Sequence, residues 1–70
     1  MLNSAEVIKT LRSRAGMTQG DLAKAIGVTS AAVSAWETGR ASPQMDRFIA
    51  ICKVAGYEIK IVKTYTKYSK

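Results

Sequence analysis

The chain has 70 residues, 47% of them hydrophobic, and eleven Lys and Arg against five Asp and Glu give it a formal net charge of +6 at pH 7. This length supports one small core, and a positive charge of this size favours a polyanionic partner. With no His and one Cys, the sequence excludes an internal disulfide, a conventional zinc site and Ser-His or Cys-His catalysis, so we expect no metal, no cofactor and no enzymatic activity.

The first two helices are predicted from their capping residues and glycines. Asn3 can cap the first helix, with Glu6 three residues later completing a capping box, and Gly16 ends this helix. Thr18 can cap the second helix, which Gly27 ends. Helical spacing predicts inner faces that carry Val7, Ile8, Leu11 and Ala15 in the first helix and Leu22, Ala23 and Ile26 in the second.

Two further helices follow after short breaks. Thr29 can cap a third helix, which Gly39 ends. Ser42 fits the cap of a fourth helix with Pro43 in its first helical position, and Gly56 ends that helix. Helical spacing predicts inward-facing side chains at Val33 and Trp36 in the third helix, and at Met45, Phe48, Ile49, Cys52 and Ala55 in the fourth.

The period of the pattern changes after the fourth helix. Branched and aromatic residues alternate at period two over residues 57–65, which predicts a β-strand. A lone strand leaves N–H and C=O groups unpaired on both edges, and the rest of the chain offers no second strand. A second copy of the chain is the simplest partner, and the alternative is a frayed tail. The residues predicted to form the dimer contact are Tyr57, Ile59 and Ile61.

The break between the second and third helices is only two residues long, which is shorter than most helix–helix connections. A turn this tight makes the helices cross steeply and brings their backbones close together. Ala23 supplies the small side chain that such an approach requires, and Gly27 can take the left-handed conformation that other residues resist. The spacing therefore indicates a helix-turn-helix.

The stretch Gln19–Thr38 resembles the helix-turn-helix of the lambda-repressor-like, or Xre, family of bacterial and phage regulators. The apolar motif positions hold Leu22, Ile26, Val28, Val33 and Trp36, and the small and glycine positions hold Ala23 and Gly27. The resemblance implies a mainly α fold, a compact domain of four to five helices over residues 1–56, with the third helix entering the DNA major groove. Residues 57–70 would add one β-strand, paired across a dimer, and a basic tail.

The resemblance also implies which side chains face DNA. Ser30, Ala31 and Ser34 would lie nearest the base edges, with Ala35 close by, while Thr29, Thr38, Gln19 and Arg40 would approach phosphates. No Arg, Lys, Gln or Asn stands on the third helix, so the side chains that make bidentate contacts to guanine or adenine are missing there.

Other notable residues receive structural interpretations. In the family an acid after the third helix's tryptophan pairs with an arginine of the first helix, so the resemblance implies a structural ion pair between Arg12 and Glu37. Trp36 and Cys52 are predicted to be buried, and Arg47 is predicted to lie on a solvated face.

The leading functional prediction is a sequence-preferring regulator of transcription, a repressor, that binds an inverted repeat in double-stranded DNA as a homodimer. The ending 55–62 resembles that of HipB-type antitoxins, so the alternative is an antitoxin that binds a toxin protein and represses its own operon. A small phage switch protein and an adapter that binds only protein stay open. No apolar run approaches about 18 residues, so we expect no membrane span and a cytoplasmic protein of bacterial or phage origin.

Overall fold

The computed structural model describes residues 3–63, which form a compact and mainly α fold. Its helices are α1 (Ser4–Arg14), α2 (Gln19–Ile26), α3 (Ser30–Glu37) and α4 (Met45–Val54). The described part of the chain therefore confirms four helices in the predicted order and contains no strand. None of the helices within residues 3–63 is long and apolar enough to cross a membrane.

The starts of α1, α2 and α3 follow from local side-chain chemistry. Asn3 Oδ1 accepts a hydrogen bond of 2.9 Å from the backbone N–H of Glu6. At α2 the Thr18 hydroxyl and the Asp21 carboxylate each accept from the other residue's backbone N–H, which makes a complete capping box. Thr29 Oγ1 accepts a hydrogen bond from the backbone N–H of Ala32 in the first turn of α3. Each of these bonds occupies a backbone donor that the helix itself cannot satisfy.

The core lies where all four helices meet. Its side chains are at most 9% exposed and comprise Ile8, Leu22, Ala23, Ile26, Val33, Trp36 and Ile51. The predicted inner residues of α2 and α3 are confirmed, as is the burial of Cys52. Ala15 is exposed instead, because α1 ends at Arg14 and the chain turns away from the core after it.

The fourth helix begins later than predicted. Ser42 and Pro43 precede it, and its N-cap is Gln44, whose side chain makes no capping bond. The first helical hydrogen bond runs from the N–H of Phe48 to the carbonyl of Gln44. The prediction of Pro43 as the first helical residue is therefore wrong. The start of α4 is determined by its packing against the core and not by a local cap.

The buried face of α4 agrees with the prediction at Cys52, which is buried, and at Phe48, Ile49 and Ala55, which are half-buried, but it differs at two positions. Met45 was expected to face inward but is 70% exposed, whereas Ile51 is fully buried. Apolar residues cover a wide arc of this helix, so spacing alone does not fix the edges of the buried face. Met45 shares a side with Phe48 and Cys52 but stands in the first turn of α4, where it is exposed, and the buried face extends to Ile51.

Residues 57–63 continue past α4 without regular secondary structure. They start from a Schellman closure, in which the Tyr57 N–H donates to the Cys52 carbonyl at 2.8 Å. The predicted strand does not form here, because the helices offer its backbone no edge to pair with. The remainder of that strand and the basic tail, residues 64–70, lie outside the described residues, as do residues 1–2.

Candidate nucleic-acid interface

The turn between α2 and α3 is closed by backbone hydrogen bonding around one glycine. Gly27 has φ of +75°, in the left-handed region, and the Val28 N–H donates to the Ala23 carbonyl at 2.9 Å. Thr29 then caps α3 directly. Because α2 and α3 also share the core through Leu22 and Val33, their relative orientation is fixed on both sides of the turn.

The outer side of α3 carries the residues expected to face bases. Ser30 and Ala31 are exposed, and Ser34 and Ala35 are half-buried. Val33 and Trp36 fill the core from the opposite side of the helix. The structure thus gathers four short side chains on one face, and that face contains no side chain longer than serine.

The two threonines that flank α3 use their hydroxyl groups internally. Thr29 Oγ1 accepts from the Ala32 N–H at 3.1 Å. Thr38 Oγ1 donates to the Ser34 carbonyl at 3.0 Å, and the Nε of Arg40 lies 3.4 Å from the same hydroxyl. Both threonines are exposed, and Arg40 places its positive charge beside the C-terminal end of α3.

An ion pair joins the end of α1 to the end of α3. The Nε of Arg12 donates to Glu37 Oε2 at 2.6 Å, and Nη2 donates to Oε1 at 3.0 Å, so the contact is bidentate. The third nitrogen, Nη1, donates to the Met17 carbonyl at 2.8 Å. The Glu37 side chain is 4% exposed and that of Arg12 is 17% exposed. This geometry is the ion pair that the resemblance implies.

Gln19 belongs to the same network, which the sequence did not indicate. Its Nε2 donates to Glu37 Oε1 at 3.1 Å, and the side chain is half-buried. An amide nitrogen carries two hydrogens, so one is not used in this contact. One signal could have revealed this contact. A buried carboxylate needs more hydrogen-bond donors than a single arginine side chain supplies, so a further donor is expected near Glu37.

The network keeps its carboxylate ionised. The hydrogen bond from Arg12 lowers the pKa of Glu37 below its ordinary value of 4.5, with a smaller contribution from Gln19, although burial opposes the shift. The same bond raises the pKa of Arg12. Both groups are therefore charged at neutral pH, and their charges cancel next to the exposed face of α3.

Arg47 is exposed, as predicted, and it also makes a contact that the sequence did not indicate. Its Nη1 donates to the carbonyl of Ile26 at 3.0 Å in a partly buried position. Ile26 is the last residue of α2, where helix carbonyls lack helical partners and the dipole favours a cation. Arg47 thus ties α4 to the turn that precedes α3. The contact spans 21 residues of sequence, so local spacing gave no signal for it.

The residues predicted for dimerisation lie on the chain that leaves α4. Tyr57, Ile59 and Ile61 are all exposed, and Ile61 is 98% exposed. Other large apolar side chains that the described residues leave exposed are Met45, Val54 and Val62. Five of the six, all except Met45, fall within residues 54–62, and we call these five the C-terminal apolar surface.

Comparison with known proteins gives one family. No match was found among curated proteins or among solved structures. The model of the helix-turn-helix family HTH_3, whose members are DNA-binding regulators and generally not enzymes, matches residues 8–62. The match runs from the middle of α1 to beyond α4 and includes the α2–α3 turn built around Gly27. The chain therefore belongs to the helix-turn-helix family of DNA-binding transcription regulators.

Proposed function

We propose that the protein is a transcriptional repressor that binds an inverted repeat in double-stranded DNA as a homodimer, with α3 in the major groove. The observation that carries the proposal is the outer face of α3, which is presented on a rigid turn in a chain of the helix-turn-helix family. In this class of motif the second helix lies in the major groove and the first crosses the backbone. Such a protein acts in the bacterial cytoplasm, where its DNA is.

Phosphate contacts would come from groups around that face. Arg40 stands just beyond the C-terminal end of α3, and the remaining Gln19 N–H lies at the start of α2, where backbone donors also favour an anion. Thr29 is exposed, and its hydroxyl accepts a hydrogen bond in α3 but can still donate one to a phosphate; Thr38 is exposed as well but already donates its hydroxyl hydrogen to the Ser34 carbonyl. These contacts would fix the register of the protein on DNA without selecting a sequence, and the net charge of +6 adds attraction over a longer range.

The C-terminal apolar surface supports the homodimer. Exposed apolar side chains at this density are unfavourable in a free monomer and typical of a protein contact. Two copies of segment 57–63 could pair antiparallel and supply the backbone hydrogen bonds that a single copy lacks. To bind an inverted repeat, such a two-fold dimer must hold its two α3 helices about 34 Å apart, which is one turn of DNA.

The DNA contact is tested with a pair of alanine variants. Ala31→Glu puts a negative charge on the outer face of α3, and Ala25→Glu puts the same charge on an exposed position of α2. We expect Ala31→Glu to weaken binding to a mixed 20-base-pair duplex at least tenfold more than Ala25→Glu does, measured by fluorescence anisotropy. Equal weakening by the two variants would contradict α3 as the DNA-binding helix.

The dimer contact is tested through the most exposed apolar residue. Ile61→Lys adds no strain to the helices, because the side chain is 98% exposed. We expect the solution mass from light scattering to fall from dimer to monomer, whereas Lys60→Ala leaves it unchanged. A wild-type protein that is already monomeric, or an Ile61→Lys variant that stays dimeric, contradicts pairing through this segment. An antitoxin role stays a prediction, since no observation on residues 3–63 favours a toxin protein over a second copy of this chain.

A further inference from the structure

We propose that Ala31 and Ala35 recognise thymine by its 5-methyl group, so that the half-site under α3 is specified by thymine rather than guanine. The inference rests on the proposed function, because it takes α3 to be the helix in the major groove. It identifies the sequence class that this groove contact selects and the two residues that select it.

The first step is the absence of side chains that could specify guanine or adenine. Bidentate recognition of these bases uses Arg, Lys, Asn or Gln, and residues 28–38 contain none of them. The one such side chain close to α3 on the α2 side is Gln19, whose amide is held by Glu37 at 3.1 Å. This contact restrains the Gln19 amide, which the proposed function assigns to phosphate and not to base edges.

The second step is that the polar groups flanking α3 are already engaged. The hydroxyl of Thr29 accepts from the Ala32 N–H, and the hydroxyl of Thr38 donates to the Ser34 carbonyl. Glu37 is enclosed by Arg12 and Gln19. The groups left to meet base edges are the hydroxyls of serines, which accept or donate and discriminate weakly, and the methyl groups of two alanines.

The third step is the chemistry of an alanine methyl in the major groove. Thymine is the only DNA base that presents a methyl group there, and alanine is one of the side chains that contact it. A helix with side chains is about 10–12 Å across and the groove is about 12 Å wide. Residues as short as Ser30, Ala31, Ser34 and Ala35 therefore allow α3 to approach the base edges closely enough for methyl–methyl contact at about 4 Å.

The spacing of the two alanines sets the spacing of the thymines. Ala31 and Ala35 are four residues apart on one helix and share the outer face, which separates their Cβ atoms by about 6 Å. Successive bases along one strand are about 3.4 Å apart. The two alanines therefore span about two base steps. We expect two thymine methyl groups separated by that distance in each half-site.

The experiment compares thymine with deoxyuridine, which differs only by the missing methyl group. A pool of duplexes with a random 20-base-pair centre is selected with the wild-type full chain, and the selected duplex is then synthesised with deoxyuridine at each thymine in turn. Burying one methyl group changes an equilibrium constant about fourfold. We expect about fourfold weaker binding at each of two positions and about 15-fold for both together, with an unchanged dependence on salt concentration, because no phosphate contact is altered.

Variants assign each methyl to a residue. For the Ala31→Gly variant, deoxyuridine at one of the two positions should no longer weaken binding fourfold. For the Ala35→Gly variant, the same should hold at the other position. Ala25→Gly introduces the same helix-weakening change at an exposed position of α2 and should keep both effects. Because the wild-type comparison needs no variant, the proposal stays testable even if a glycine variant unfolds.

The outcomes separate this inference from the proposed function. If the protein binds the selected duplex no more than twofold more weakly when deoxyuridine replaces thymine, the inference is overturned and DNA binding is left intact. Enrichment of a half-site fixed by guanine under α3 overturns it as well. A pool in which no duplex is enriched contradicts the proposed function itself, and the inference fails with it.

Discussion

Removing the charge of Glu37 should destabilise the fold strongly. Glu37→Gln keeps the shape of the side chain and one acceptor oxygen, but leaves the Arg12 guanidinium facing a neutral group. Arg12 cannot escape easily, because its Nη1 is held by the Met17 carbonyl at 2.8 Å and its side chain is only 17% exposed. The variant thus leaves a positive charge that is mostly desolvated and has lost its counter-charge.

The magnitude follows from the burial of the pair. Breaking a buried ion pair by removing one partner costs about 3–5 kcal/mol. Since the new amide oxygen can still accept one hydrogen bond from Arg12, we expect a loss near the lower end, about 3 kcal/mol. For a domain of this size each 1 kcal/mol lowers Tm by about 4–8 °C, so Tm should fall by about 12–24 °C at pH 7.

The assay is thermal unfolding followed by circular dichroism, with Glu58→Gln as the matched control. Glu58 lies 4.0 Å from the amine of Lys60, and both side chains are about three-quarters exposed. An exposed pair of this kind contributes less than about 1 kcal/mol. The same chemical change should therefore leave Tm within a few degrees of wild type at position 58 and lower it greatly at position 37.

The pH dependence of the difference gives a second test. The pKa of Glu37 is lowered in the folded state, mainly by the hydrogen bond from Arg12. Its contribution to stability is therefore complete above the ordinary value of about 4.5 and is lost as the pH falls through the lowered value. The gap in Tm between wild type and Glu37→Gln should be constant near pH 7 and narrow in acid. A gap below about 3 °C at pH 7, or one that widens in acid, would refute the reasoning.

Three further substitutions test the turn and its support. Gly27→Ala should cost about 1–2 kcal/mol, because φ is +75° and no atom lies within 4 Å of the added Cβ, so backbone strain acts alone. Gly20→Ala should instead raise stability by about 0.5–1 kcal/mol, since Gly20 is helical and an added Cβ would lie at an ordinary 3.8 Å from Thr18. If the two glycine variants shift Tm in the same direction, this contrast is contradicted. Arg47→Met should cost about 1.5–3 kcal/mol in urea unfolding, because the Ile26 carbonyl loses a charged donor, and Arg47→Lys should recover part of that loss. Equal stability of the Arg47→Met and wild-type proteins would show that the contact contributes nothing.

The parts of the fold that were predicted correctly depend on neighbours in sequence. Asn3, Thr18 and Thr29 cap their helices through backbone groups three residues away, and Gly27 ends α2 through its own left-handed φ. These interactions need no information about the rest of the chain. The outward face of α3 follows in the same way, because the burial of Val33 and Trp36 leaves only one side of that helix to face solvent.

The parts that were missed depend on partners far along the chain. The carbonyl that Arg47 binds and the carboxylate that Gln19 binds lie 21 and 18 residues away, so no periodicity shows them. The exposure of Met45 and the burial of Ile51 were missed for a related reason, since spacing does not fix the edges of the apolar face of α4 and only packing selects Ile51. The strand is a third kind of case, because its pairing partner is not within the described part of a single chain.

The order of the helices along the chain has a consequence for how quickly the protein becomes available in a cell. The four helices are joined by the short segments 15–18, 27–29 and 38–44, and helical domains with such local connections fold in microseconds to milliseconds. Ribosomes add about 5–20 residues per second, so making the chain takes seconds. Because the buried Ile51 lies on α4, the core closes only when that last helix has been made. The supply of folded protein is therefore limited by translation, and a change in messenger level reaches the folded pool without a folding delay.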